Sequence, residues 1–138
     1  MGNAGYGIVE ALLAEGFQVT AIKRRESESV FPSSVAVRRI DVTVYKELLE
    51  AFTGQDTVVS VVGLVALRHQ IKMVDAAVAA GVQRFIPSEF GCESRNSVGT
   101  KFGDLLAGKI ATSDYLIKVS GENPAFSWTG IAVGNFFE

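Results

Sequence analysis

One cysteine, one histidine, one tryptophan and three prolines occur among the 138 residues. With Cys92 alone, neither an internal disulfide nor a thiolate zinc cluster can form, and a single histidine, His69, closes off most histidine-based metal chemistry. No metal site is expected. Charge of one sign is also lacking: 13 Lys+Arg stand against 15 Asp+Glu, a formal net charge of -2. These charges are interspersed, which leaves no footprint for nucleic acid or an anionic membrane surface. Long apolar runs are missing too. The longest, Val58 to Leu67, falls short of the roughly 18 residues a membrane-spanning helix needs. The first residues lack the charged and apolar regions of a secretory leader, and Tyr6 stands where a myristoylation motif would carry Ser or Thr. A reducing, cytoplasmic location is the expectation.

What is present suits one globular domain over 1–138: 48% of residues are hydrophobic and 20% charged, enough to bury a core. Helical spacing alternates with short β-branched runs bounded by Gly, Pro or Asp, the pattern of βα units. Ala4, Ile8, Ala11, Leu12 and Glu15 form one helical stripe, stopped by Gly16 before a strand over Gln18–Ile22. A polar loop, Arg24 to Ser34, leads to a strand over Val35–Val42. Thr43 is placed to cap a helix with Val44, Leu48 and Phe52 on one face and Gly54 at its end. Asp56 to Gly63 reads as a strand covered on both faces, because Val58-Val59-Ser60-Val61-Val62 shows no polar alternation. A helix over Leu67–Ala80 follows, with Ile71, Val74 and Val78 inside and Gly81 as its stop. Then come a strand to Pro87, a loop over Ser88–Lys101, a long helix through Val119 and a strand over Trp128–Val133.

The predicted architecture is α/β: a doubly wound, Rossmann-type parallel sheet. Gly2-Asn3-Ala4-Gly5 opens the first helix, where free backbone N–H groups and the helix dipole favour a phosphate, although a glycine pair is also an ordinary helix-start turn. Arg24 lies 22 residues after Gly2. That is about where dinucleotide folds read the ribose, with Arg accommodating a 2′-phosphate, so NADP is favoured over NAD. A solvated charge cluster is the competing account of Lys23-Arg24-Arg25. Only Met1 precedes Gly2, so the strand and first glycine of the fingerprint are absent. That strand is central in such folds, and its absence predicts two half-sheets with unpaired edges.

Gly2-Asn3-Ala4-Gly5, Arg24, Gln55-Asp56-Thr57-Val58-Val59-Ser60-Val61-Val62-Gly63 and Arg84-Phe85-Ile86-Pro87-Ser88-Glu89-Phe90-Gly91 together resemble the NmrA-like family, and within it the isoflavone reductase-like oxidoreductases. The resemblance implies an NADPH-dependent reductase transferring hydride to a small aromatic or carbonyl substrate. It also implies a C-terminal substrate region, which is expected to be missing from this sequence. It would set Gly2, Asn3, Ala4 and Gly5 on the pyrophosphate, Arg24 on the 2′-phosphate, Val62 and Gly63 beside the adenosine half, and Ser88 and Phe90 on the nicotinamide side. Lys109 matches the lysine of catalytic members, which exchanges a proton with substrate oxygen; Lys101 competes for that assignment. A second lysine that reductase members often carry after the 2′-phosphate Arg has no match in Glu26 to Ser34. The alternative within the family is a non-catalytic, redox-sensing regulator that binds the dinucleotide and acts through a protein partner. An inactive fragment is the third reading.

Other residues read as structural. Tyr115 and Lys118 are spaced three apart rather than the four of a short-chain dehydrogenase pair, so Tyr115 is expected to pack and Lys118 to be solvated. Cys92 has no activating neighbour in sequence. His69 at a helix start and Trp128 read as structural, and Arg38-Arg39 as a solvated strand face. Glu89 is open between an acid and a backbone hydrogen-bonding role.

Overall fold

In the computed structural model, which describes residues 3–134, helices alternate with parallel strands from Asn3 to Trp128. Helix α1 spans Asn3–Ala14 and ends as its glycine predicts. Gly16 takes φ 83° while its N–H bonds Leu13 O and Phe17 N–H bonds Leu12 O. This pair of bonds is a Schellman closure, which needs the left-handed conformation that glycine adopts without strain. Helix α3 (Gln70–Ala79) closes the same way at Gly81, with Val82 N–H on Ala77 O.

The strands form two separate parallel sheets. In the first, β1 (Thr20–Lys23) pairs β2 (Ala36–Arg39), with Thr20 opposite Ala36 and Lys23 opposite Arg39. The second has the order β3 (Thr57–Val59), β4 (Arg84–Ile86), β5 (Ser127–Trp128), with Phe85 opposite both Val58 and Trp128. No strand among the described residues pairs β1 with β3, so the expected half-sheets are what forms. One core nevertheless spans both. Ile40, Leu48, Phe52, Val74, Phe85 and Leu116 are buried together, and Ile22 from β1 and Val58 from β3 pack against them. Burying each such side chain contributes about 1.5–3 kcal/mol, against about 1 kcal/mol net for a ladder hydrogen bond. The shared core therefore outweighs the interrupted ladder. Helix α2 (Tyr45–Phe52), α3 and α5 (Ala107–Glu122) pack side by side in one layer.

Five expectations change. Thr43 does not cap α2: its N–H and hydroxyl both turn to Asp41 Oδ1, at 2.8 and 2.7 Å, and Val44 stands at the cap, 39% exposed. Those two bonds hold the Asp41 carboxyl below its ordinary pKa. Strand β3 is short and half-buried rather than covered on both faces, with Thr57 exposed, because it has a strand partner on one side only. The helix before β4 starts with a 3-10 turn, Leu64–His69, ahead of α3. The long helix divides at Leu106 into α4 (Lys101–Leu105) and α5. Strand β5 stops early as well. Beyond the Thr129 N–H bond to Phe85 O, Pro87 offers no N–H to extend the ladder.

No helix among the described residues is long and apolar enough to cross a membrane.

Candidate functional site

Beyond the carboxyl ends of β3, β4 and β5 the chain is tied into one cluster, the place where open α/β sheets bind ligands. The Ser88 hydroxyl donates to Val62 O at 2.8 Å, joining the exits of β3 and β4. The N–H groups of Val133 and Gly134 both bond Gly91 O at 3.0 Å, bringing the segment after β5 to the same place. Ser88 and Glu89 are buried, each 6% exposed. The Glu89 carboxylate accepts from the Ser94 hydroxyl at 3.1 Å, and its carbonyl accepts from Lys109 Nζ at 2.5 Å.

Local packing explains why Lys109 arrives there. Gly108 lets α5 lie against the 3-10 turn, since a Cβ at that position would stand 2.9 Å from Leu67 Cβ. A Cβ on Gly91 would lie 3.2 Å from Glu89 O, a tight approach, and 3.6 Å from Lys109 Nζ, an ordinary contact. The structure separates the two competing lysines: Lys109 is half-buried and bonded within the cluster, whereas Lys101 is exposed at the start of α4.

Arg24 leaves β1 in the open. Of the three consecutive cations, Lys23 Nζ is held by Ser29 O at 2.6 Å and Arg25 pairs with Glu47 at 2.6 Å. The exposed Arg24 guanidinium has no such partner among the described residues, which leaves it free to meet an anion. Gly63 is exposed, with nothing within 4 Å of where a Cβ would stand, and Phe90 is half-buried beside Glu89. Ala4 and Gly5 lie in the first turn of α1, half-buried and buried respectively. Asn3 begins that helix, and Gly2 lies outside the described residues. The structure thus brings Val62, Ser88 and Lys109 into one bonded cluster, with Phe90 and Gly63 next to it in the chain. It places Arg24 at the end of the other sheet.

Tyr115 packs against the core and its hydroxyl donates to Asp75 Oδ1 at 2.5 Å, which together with burial pushes its pKa up to about 12. Lys118 is exposed. His69 Nε2 accepts from Arg68 Nε at 3.3 Å. Arg38 and Arg39 are exposed, yet both brace backbone: Arg38 donates to Glu50 O, and Arg39 to Arg25 O and Ser27 O. Among the described residues, no group of three or more His, Cys, Asp or Glu could hold a metal.

Sequence reasoning missed Gln70. It is fully buried, and its Oε1 accepts the Ser88 N–H at 2.8 Å. A trace was available. Gln70, Met73, Val74 and Ala77 occupy one buried stripe of α3, so a polar residue stands where the helical period demands an apolar one.

Comparison with known proteins settles the family. The NmrA-like family model matches residues 1–138. The chain belongs to the NmrA-like family. It is 42% identical to oxidoreductase aprR of Aspergillus flavus, covering 99% of this chain and 46% of that protein. With oxidoreductase poxI of Penicillium oxalicum it shares 37% identity over 97% of this chain and 42% of the relative. Among solved structures, AtPrR2 with NADP+ and (+)pinoresinol superimposes with a TM-score of 0.80 at 25% identity, over 98% of this chain and 47% of that one. A leucoanthocyanidin reductase–NADPH complex from Vitis vinifera gives 0.80 at 21% identity, over 97% of this chain and 47% of that one, which supports the same fold. The NmrA-like chain spans less than half the length of these relatives.

Proposed function

We propose that the complete protein is an NADPH-dependent reductase of a small aromatic or carbonyl-containing substrate, with Lys109 as the residue that exchanges a proton with substrate oxygen. The observation that carries this reading is the Lys109 ammonium, half-buried at the carboxyl ends of the strands and held at 2.5 Å by Glu89 O. An amine fixed there can hand a proton to an oxygen that becomes a hydroxyl and regain it from solvent.

The residues present fit the nucleotide. Arg24 offers an exposed guanidinium with no partner among the described residues, suited to a 2′-phosphate. Ala4, Gly5 and Asn3 belong to the first turn of α1, suited with Gly2 to a pyrophosphate. Val62 and Gly63 would flank the adenosine half, with Ser88 and Phe90 on the nicotinamide side. NADPH supplies the hydride when bound. The NADP+ and NADPH in the AtPrR2 and leucoanthocyanidin reductase structures support this choice of cofactor.

Lys109→Ala in the complete protein tests the reading against that of a nucleotide-binding regulator. The expected result is a loss of about 10²–10⁴-fold in NADPH oxidation with candidate substrates while NADPH binding persists. Undiminished oxidation would overturn the catalytic assignment.

A further inference from the structure

The buried amide of Gln70 is a puzzle in its own terms. Its Nε2 is buried and has no hydrogen-bond partner among the described residues. A buried donor without a partner is a penalty that methionine or leucine, of similar size, would avoid. The amide cannot be turned to relieve it, because the Ser88 N–H donates and so requires the oxygen, not the nitrogen, to face it. Glutamine is therefore explained by its oxygen alone.

That oxygen satisfies a group with no local alternative. Residue 87 is proline, β4 has ended at Ile86, and the Glu89 N–H is taken by Pro87 O at 2.8 Å. The Ser88 peptide leaves the sheet inside the protein, where an unmatched N–H is costly. Gln70 fixes that N–H from α3, and the Ser88 hydroxyl fixes Val62 O at the exit of β3. The peptide clamped in this way is followed directly by Glu89, whose carbonyl holds Lys109 Nζ.

We infer that Gln70 is a positioning residue for Lys109: its amide oxygen sets the Ser88 peptide, and with it the Glu89 carbonyl that seats the ammonium. The inference rests on the reading of Lys109 as the proton-exchanging residue, but its test does not depend on activity. The rate of reductive methylation of each lysine is followed by mass spectrometry in the complete protein without nucleotide. Lys23, half-buried and bonded to Ser29 O on the other sheet, is the internal control for general loosening.

In Gln70→Met, methylation of Lys109 is expected to rise about tenfold, the factor expected for loss of one ordinary hydrogen bond, with Lys23 unchanged. Gln70→Glu retains an oxygen acceptor and should leave Lys109 as slow as in the unaltered protein. Under the reductase reading, Gln70→Met also lowers kcat. An unaltered Lys109 rate in Gln70→Met overturns the inference, as does a parallel rise at Lys23. So does a Gln70→Glu protein that exposes Lys109, and this second variant decides the matter if the methionine variant does not fold. If instead Lys109 is exposed as expected but Lys109→Ala keeps full activity, the clamp stands and the catalytic assignment of Lys109 falls.

Discussion

The Ser88 hydroxyl reaches across from the exit of β4 to the Val62 carbonyl at the exit of β3, 26 residues away in sequence, at 2.8 Å. Since Ser88 is buried, removing its hydroxyl leaves the Val62 carbonyl short of a partner. Ser88→Ala is expected to destabilise the protein by about 1–2 kcal/mol, read as a lower denaturant midpoint at unchanged slope. A changed slope would mean instead that the unfolding unit had altered.

Two glycines make a contrasting pair. A Cβ on Gly103 would lie 2.1 Å from Ser97 O, a backbone atom that cannot rotate away, whereas Gly7 inside α1 has nothing within 4 Å. Gly103→Ala should therefore destabilise by about 2–4 kcal/mol or force α4 off the preceding turn. Gly7→Ala should stabilise α1 by up to about 1 kcal/mol. Thermal unfolding of the two variants would show shifts of opposite sign.

Tyr115 joins α5 to α3 through Asp75, and its pKa of about 12 in the folded state exceeds the ordinary 10.0. The protonated hydroxyl is what donates, so its contribution is fully present below pH 10 and is lost as pH rises from 10 toward 12. Tyr115→Phe should cost about 1 kcal/mol near neutral pH, and the gap from the unaltered protein should shrink by about pH 11. Urea unfolding at several pH values measures it. A gap independent of pH would remove the hydrogen bond as its cause.

Much of the fold was legible because its determinants are local. Gly16, Gly54 and Gly81 stop helices where the spacing of apolar residues stops, and each takes a positive φ. Arg24 falls just past β1, where the apolar run of the strand gives way to charge. The division into two half-sheets followed from counting strands. What was not legible depends on competition between neighbouring polar groups or on groups distant in sequence. Thr43 looked like a helix cap, but Asp41, two residues earlier, is the better acceptor and draws it back. Val58 to Val62 look like a fully covered strand, yet coverage is decided by neighbours that a residue pattern does not contain. Gln70 meets Ser88 only when the start of α3 comes to the exit of β4, so the purpose of its oxygen was invisible, even though its place in an apolar stripe was not. For Lys109 the resemblance named the residue, and the sequence left Lys101 beside it. In the fold Lys109 is half-buried and bonded to Glu89 O, with Gly108 letting its helix lie against the 3-10 turn, whereas Lys101 is exposed.

The interrupted sheet has a consequence for how this chain behaves among its own copies. A single five-stranded sheet has two edges, whereas the two- and three-stranded sheets among the described residues have four, each a row of backbone donors and acceptors without a strand partner there. The β2 edge is guarded by Arg38 and Arg39, but β1 and β3 carry Ile22, Val58 and Val59 with little charge to repel a neighbour. Those two inner edges are where strand-to-strand self-association would begin as concentration rises, and a lysine or proline placed on β3 would be the means to oppose it.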